Sequence, residues 1–537
     1  LSRQYFTYGS PTVGQGWPQK LGLPAGFADV MPIVNFGMTI GPGFVGNIRA
    51  GLGLQFFDSV TMIYGKHSLK VGTEIRRNDG ISGVMAPANA GSWNFSGLTA
   101  NPQAATGTGS GLAQFLLGAV SNGSVTANGA TSIRNYSARF FVQDDWRITR
   151  RLNLNLGLRY DYQQSPYEKH NRMSNFNISE INPETNLPGL TQYADRTPFD
   201  PVLGGKPNLS PRFGFAYDVR GDGRTALRGA YSIFYATVHN ITYSSSGYGT
   251  YSTPYQPPNN NGNFPAFQFS QGLPTPWLAP LGNQLGPSIN LSSGATWVQA
   301  YQQTPMSQQW NLSLQHQFKS GWMVEGAYTG NHGTHLEARS YDYNQLDDKY
   351  YPQYQLALQD QLPNPYKGII PGSLGGATIS RSQLLKPIPY VGGIAVGAPS
   401  NFFGNSIYHA LVLTTEKRMS QGLAILASYT CGKSIGDSLY SNIDYASEQG
   451  NSDGYQTGKY DRRRERSLDA LDVRHHFTVS LVYELPFGAR RRFASGNSII
   501  DTVIGGWQVN AITSALSGMP LVVRGANNFR ANRPNST

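Results

Sequence analysis

Several groups of residues in this chain have types and spacings that could do chemistry. His332-Gly333-Thr334-His335, with Glu337 close behind, brings two imidazoles and a carboxylate together at a spacing that could hold a divalent metal. Its place just past a predicted strand reads instead as a turn at the base of a loop, and no metal ligand is assigned. Asp472, His475 and His476 have the residue types of acid–base catalysis, but adjacent strand residues point to opposite faces. The two imidazoles cannot converge without a bulge. Arg462, Arg463, Arg464 and Arg466 form the densest charge run and could bind an anion; with Asp461, Glu465 and Asp469 nearby, a solvated loop face is favoured. Arg490, Arg491 and Arg492 follow a predicted tight turn and also read as solvated. Two tyrosine-rich stretches, YSSSGYGTYSTPYQPP (243–258) and KYYPQYQ (349–355), lie between predicted strands. Tyrosine in loops gives contact area at low entropic cost. Tyr248, Tyr251, Tyr255, Tyr350, Tyr351, Arg462, Arg463 and Arg464 are therefore the candidate ligand contacts. No Walker A loop or H-E-x-x-H motif appears, and nothing marks a Ser/His/acid set on one rim. The expectation is a chain with no catalytic residues and no cofactor.

The elements that must position these residues are announced by composition. The chain has 537 residues, of which 14% are charged and 12% aromatic, with 62 glycines. Soluble domains average about 25% charged and about 7% glycine, so an ordinary cytosolic enzyme is a poor fit. Disorder goes with few aromatics and high net charge, and is a poor fit too. The net charge of +11 is mild for this length, and no basic stripe follows a predicted helix, so nucleic acid is not an expected partner. Cys431 stands alone, which excludes an intrachain disulfide. A membrane-spanning helix needs about 20 apolar residues. The longest stretch without Asp, Glu, Lys or Arg, 387–415, is broken by Pro387, Pro389, Pro399 and several glycines.

The dominant pattern has period two. In LNLNLGLRYDYQ (152–163), Leu152, Leu154, Leu156, Leu158, Tyr160 and Tyr162 share one face, while Asn153, Asn155, Arg159 and Asp161 share the other. Such alternation predicts a strand with one apolar and one polar face. It recurs in pairs joined by short turns: 56–64 with 68–77, 136–147 with 152–163, 212–219 with 225–235, 308–318 with 322–330, and 408–417 with 423–431; 475–485 is answered by 507–513 after a longer turn. Region 78–133 hints at two more strands, near 92–95 and 119–127. Long polar stretches, roughly 164–211, 236–307, 331–407 and 432–474, separate the hairpins.

Short turns therefore alternate with long loops, which places all turns at one end of an up-and-down sheet and all loops at the other. Outer-membrane barrels are built this way; soluble sandwiches rarely are. Eleven residues at about 3.4 Å each, tilted about 45°, span roughly 26 Å, close to the apolar band of about 25 Å in such barrels. Asp144 breaks the apolar face beside Phe140 and Val142, but it sits at the turn end, where a charge costs least.

Several blocks resemble TonB-dependent outer-membrane receptors. FVQDDWRITRRLNLNLGLRYDY (141–162) is similar to a hallmark hairpin of that family. HSLKVGTEIRR (67–77), LSPRFGFAYDV (209–219), QQWNLSLQHQF (308–318), GNHGTHL (330–336), YHALVLTTEKRMSQGLAILASYTCGKSIGD (408–437), DVRHHFTVSLVYELPFG (472–488) and GGWQVNAITSALSGMPLVV (505–523) have counterparts in it. Together they resemble its Oar-like branch. The resemblance implies an all-β, antiparallel up-and-down transmembrane β-barrel in the Gram-negative outer membrane, with long extracellular loops and short periplasmic turns. The family has 22 strands; about 12–16 are expected within these residues. Residues 1–537 are expected to be a barrel domain incomplete at both ends, a fragment of a longer precursor without the plug, TonB box or closing strands. The implied function is capture of a bulky or scarce nutrient by the extracellular loops and its import with TonB-derived energy. The implied partners are TonB, the plug domain and outer-membrane lipid, with lipopolysaccharide phosphates as one anion for the arginine run. Asn153, Asn155, Arg159, Gln309, Asn311 and Gln315 would line the lumen against the plug. The alternative is a surface-interaction or adhesion barrel that imports nothing.

Overall fold

A computed structural model describes residues 15–23, 31–41, 47–84, 91–98, 108–128, 131–194, 207–238, 248, 250–257, 264–276, 281–338, 341–396, 402–437, 460, 463, 466–469, 471–489, 491–494 and 496–520. Twelve long strands form one antiparallel sheet in chain order. They are β1 (Asn47–Tyr64), β2 (His67–Val84), β3 (Thr131–Arg147), β4 (Leu152–Gln163), β5 (Asn208–Asp218), β6 (Thr225–Tyr235), β7 (Met306–Gln317), β8 (Trp322–Glu337), β9 (Phe402–Ser420), β10 (Leu423–Gly436), β11 (His475–Glu484) and β12 (Gln508–Leu516). Two short strands, Tyr167–Glu168 on β3 and Ser467–Leu468 on β10, bring the sheet to fourteen. Among the described residues β1 and β12 each pair on one side only, so the barrel is not closed.

The register carries the alternation of single strands across the whole sheet. Leu156 lies opposite Phe213, Phe213 opposite Tyr231, and Tyr231 opposite Trp310. Further on, Leu227, Leu314, Gly326, Leu413, Tyr429 and Phe477 follow one another from β6 to β11. A one-residue slip would transfer every apolar side chain to the polar face. Phe140, Phe213, Leu312, Leu314, Leu411 and Leu413 are all more than 40% exposed. An exposed apolar face of this extent suits a lipid solvent and not water. The polar face sets Asn155 opposite Asp145 and Gly214, and Gln315 opposite Ala226 and Glu325.

The long strands overshoot the expected ends on the loop side. β1 and β2 have 18 residues each, about 43 Å along the membrane normal by the same rise and tilt, so roughly 18 Å projects beyond an apolar band of about 25 Å. Neither face of that collar meets lipid, and alternation is not demanded there. The predicted turn at 332–335 is one such place: β8 continues through it to Glu337, and the residue shift is absorbed by a bulge at which His335 adopts φ 52°. The two hinted strands near 92–95 and 119–127 exist, but outside the barrel sheet. The β11–β12 connection holds a short helix, α1 (Ser498–Ile504), capped by Asn497, which the strand pattern did not foretell.

Candidate ligand-binding surface

The long loops fold into two packed units at the extracellular end. The first draws on the segment before β1, the β2–β3 loop and the first half of the β6–β7 loop. Strand Ile33–Asn35 pairs with Ser92–Asn94, which pairs with Asn122–Asn128, which pairs with Thr250–Tyr255. Trp93, Phe95, Val120, Val125, Tyr255 and Phe267 form its interior, with Trp93 and Phe267 edge to face at 5.2 Å. Gly123 is required there, since a Cβ would lie 2.3 Å from the Trp93 ring.

The second unit draws on the β4–β5 loop, the rest of the β6–β7 loop and the β8–β9 loop. Strands Ala295–Trp297, Ile394–Val396 and Tyr341–Asp342 form a small sheet beside the hairpin of Ser174–Ile181 and Pro188–Tyr193. Phe176, Leu291, Ile388, Tyr390, Val391 and Ile394 form its core. The fully buried Asn344 joins its parts: its amide donates to the carbonyls of Ile388, Val391 and Gly392, and its side-chain oxygen accepts from Ile388 N–H. The Tyr390 hydroxyl donates to Pro188 O, and burial, aided by neighbouring Tyr366, pushes it up to about 12. A cleft of about 430 Å³ opens on this unit between Leu285–Ser293 and Pro371–Ser373, and its hydroxyls come from Ser288, Ser292, Ser293 and Ser373.

The predicted contact residues are spread over these units. Tyr248 packs on the second unit, its ring edge to face with Tyr193 at 5.9 Å and against Gly282. Tyr251 pairs with Ala127 in the first unit. Tyr255 is inside that unit, only 3% exposed, with its hydroxyl donating to Thr275 O at 3.0 Å; burial raises its pKa. Tyr350 and Tyr351 open a short helix, Tyr350–Tyr354, in the β8–β9 loop, and Lys349 lies over the Tyr350 ring at 5.0 Å. Desolvation raises the Tyr351 pKa. Arg463 is exposed, while Arg462 and Arg464 lie outside the described residues. The structure thus brings Tyr248 onto the second unit and Tyr255 into the core of the first, and does not gather the six described residues at one point.

Below the loop units, the upper polar face carries an ion-pair network. Arg139 Nη1 lies 3.0 Å from Glu74 Oε1, Arg139 Nε lies 3.1 Å from Asp161 Oδ1, and Arg159 Nη2 lies 2.8 Å from the same oxygen. Ser210 donates to Asp161 Oδ2 at 3.2 Å. The segment following β6 crosses β5 to reach this network. Thr237 accepts from Arg139, Asn135 donates to Val238 O at 3.0 Å, and Val238 N–H donates to Gln163. Arg159 and Asp161 were visible as polar-face residues; the crossing segment left no periodic trace.

His475 and His476 point apart, as the strand geometry requires: Tyr429 hydroxyl meets His475 Nδ1 at 2.8 Å, while His476 Nε2 lies 3.4 Å from Ser514 Oγ. Asp472 is buried and accepts from Ser434 N–H, which fixes the loop base. Among the described residues no group of three or more His, Cys, Asp or Glu is arranged to hold a metal ion.

Residues 2–537 match the family described as outer membrane beta barrel domain, and the chain belongs to that family. It lies in the outer membrane as a β-barrel. Solved structures similar to it include the outer-membrane transporter YddB of Escherichia coli, at 12% identity and TM-score 0.40, covering 88% of this chain and 47% of that one. They also include the ferripyoverdine receptor of Pseudomonas aeruginosa, at 9% identity and TM-score 0.33, covering 82% and 36%. The siderophore receptor PiuA of Acinetobacter baumannii gives 10% identity and TM-score 0.34, covering 82% and 44%. The chain thus spans less than half the length of each of these three. No curated protein matches.

Proposed function

We propose that the chain is the barrel part of a TonB-dependent receptor that captures a bulky or scarce nutrient at its extracellular loops and imports it with TonB-derived energy. The observation that carries this reading is the folding of five extracellular segments into two units with their own cores, joined through the β6–β7 loop. Loops ordered to that degree offer a preorganised surface, which lowers the entropic cost of binding. The serine-lined cleft, Tyr248 and the exposed Arg463 supply polar contacts on that surface, and Tyr251, Tyr350, Tyr351, Arg462 and Arg464 are the further contacts proposed. The polar inner face, with Asn153, Asn155, Gln309 and Asn311, suits a hydrated passage. The sequence blocks shared with TonB-dependent receptors point the same way.

Whole cells producing the full-length receptor should be offered labelled ferric chelates, oligosaccharides and peptides, with and without a protonophore. Import predicts accumulation of one class that the protonophore abolishes while surface binding persists. Binding without any energy-dependent uptake would sink the transport reading in favour of an adhesion barrel.

A further inference from the structure

The β11–β12 connection on the periplasmic side carries a helix turned the wrong way for water. In α1, residues SIIDTVI, the 100° step places Ile499, Ile500, Val503 and Ile504 along one arc, and Ser498, Asp501 and Thr502 along the other. On a surface helix the apolar arc normally faces the protein. Here Asp501 is the buried residue, 7% exposed, while Ile499, Ile500 and Val503 are exposed by 76%, 48% and 66%. The orientation is held by close backbone contact. Gly488, at φ 101°, lies so near Gly505 that a Cβ would come within 2.5 Å of the Gly505 Cα. Asn497 caps the first turn through Ile499 N–H at 3.0 Å, and Trp507 Nε1 donates to Val503 O at 2.9 Å.

Two further observations say what covers the apolar arc. Trp507, 62% exposed, has the parity of Val509 and Ala511, the lipid-facing residues of β12, so the arc continues the apolar band of the barrel. The same connection carries Arg491, paired with Glu484 at 3.1 Å, and Arg492, over the Phe493 ring at 5.7 Å; Phe493 itself is 53% exposed. An exposed apolar arc, a tryptophan and adjacent arginines are the parts of an interfacial helix that lies in a membrane surface, and the cations attract anionic headgroups.

We propose that α1 lies in the headgroup region of the periplasmic leaflet, its isoleucine and valine side chains among the upper acyl chains and Arg491 and Arg492 on phospholipid phosphates. This anchors the β11–β12 connection to the membrane. The test uses the full-length receptor in liposomes of phosphatidylethanolamine and phosphatidylglycerol, with nitroxide labels on a cysteine-free background. Labels at Ile499→Cys and Val503→Cys are expected to favour collision with oxygen over a water-soluble nickel chelate, close to a Leu314→Cys label in the lipid band. A Thr502→Cys label should favour the chelate several-fold more. Chelate access at 499 and 503 equal to that at 502 would overturn the proposal, because the helix would be solvated. Protection of 499 and 503 from both reagents would also overturn it, because protein would be the cover. Heat-modifiable migration of each variant shows that the barrel has folded. Replacing Arg491 and Arg492 by Gln should lower the oxygen preference at 499 and 503; an unchanged preference would overturn the role given to the arginines.

Discussion

A carboxylate on the lipid-facing side of a strand is expensive unless it lies near the interface and has a partner. Asp144 has both. It sits three residues from the end of β3, and its Oδ2 lies 2.7 Å from His67 Nδ1. The His67 ring stacks on Trp146 at 5.1 Å, within the turn-end aromatic girdle. The position of Asp144 was legible from strand parity; its partner, 77 residues away, was not, because pairing across β2 and β3 depends on register. Both side chains are partly exposed, so the coupling is modest. A double-mutant cycle with His67→Ala and Asp144→Ala, read by urea unfolding of the full-length protein in lipid, should give about 0.5–1 kcal/mol. A coupling indistinguishable from zero would mean that the contact contributes nothing. Tyr390 allows a different test. Its pKa is pushed up from 10.0 to about 12, so the folded loop unit favours the neutral phenol that donates to Pro188 O. That contribution is fully present below pH 10 and is lost as pH rises toward 12. Protease resistance of the second loop unit should therefore fall across that window, and Tyr390→Phe should be weaker at neutral pH but flatter above pH 10. Parallel curves for the two proteins would remove Tyr390 as the cause.

Elements divide by what surrounds them. Strands inside the lipid band were readable almost to the residue, as in 152–163 and 225–235, because lipid on one face and a polar lumen on the other impose period two. The collar and the loop units lie outside that constraint. Their cores join residues far apart in the chain: Trp93 packs on Tyr255 and Phe267, and Phe176 belongs with Ile394. No local window contains such a core, so tyrosines such as Tyr255 could be placed in a loop but not inside it. The loop units should then fail separately from the barrel. Trp93→Ala removes the largest side chain of the first core, at a cost of about 3–5 kcal/mol. Limited proteolysis should cut within 91–128 and 250–271 while the heat-modifiable barrel band survives. Loss of that band would show that the loop core and the barrel fold as one unit.

At the scale of the whole molecule, the β6–β7 loop ties the parts together. It begins and ends at the same point, with Ala236 N–H donating to Pro305 O at 2.9 Å. Its first half supplies Thr250–Tyr255 to one loop unit and its second half supplies Ala295–Trp297 to the other. Where it leaves β6, residues Thr237 and Val238 are held on the polar face by Arg139, Asn135 and Gln163, next to the Glu74–Arg139–Asp161 network. One anchored segment therefore holds both units over the lumen, and loosening it should be felt in both. Asn135→Ala with Gln163→Ala removes three hydrogen bonds to Val238, one from Asn135 and two with Gln163, worth about 1 kcal/mol each. Arg139 and its ion pairs remain, so the barrel should keep its stability. Amide hydrogen exchange in 250–255 and 295–297 is expected to accelerate together, on the order of 100-fold for amides whose opening depends on the anchor, since about 1.4 kcal/mol is tenfold. Acceleration confined to 236–238 would show that the two units are held by their own cores alone, and that the crossing segment secures only itself.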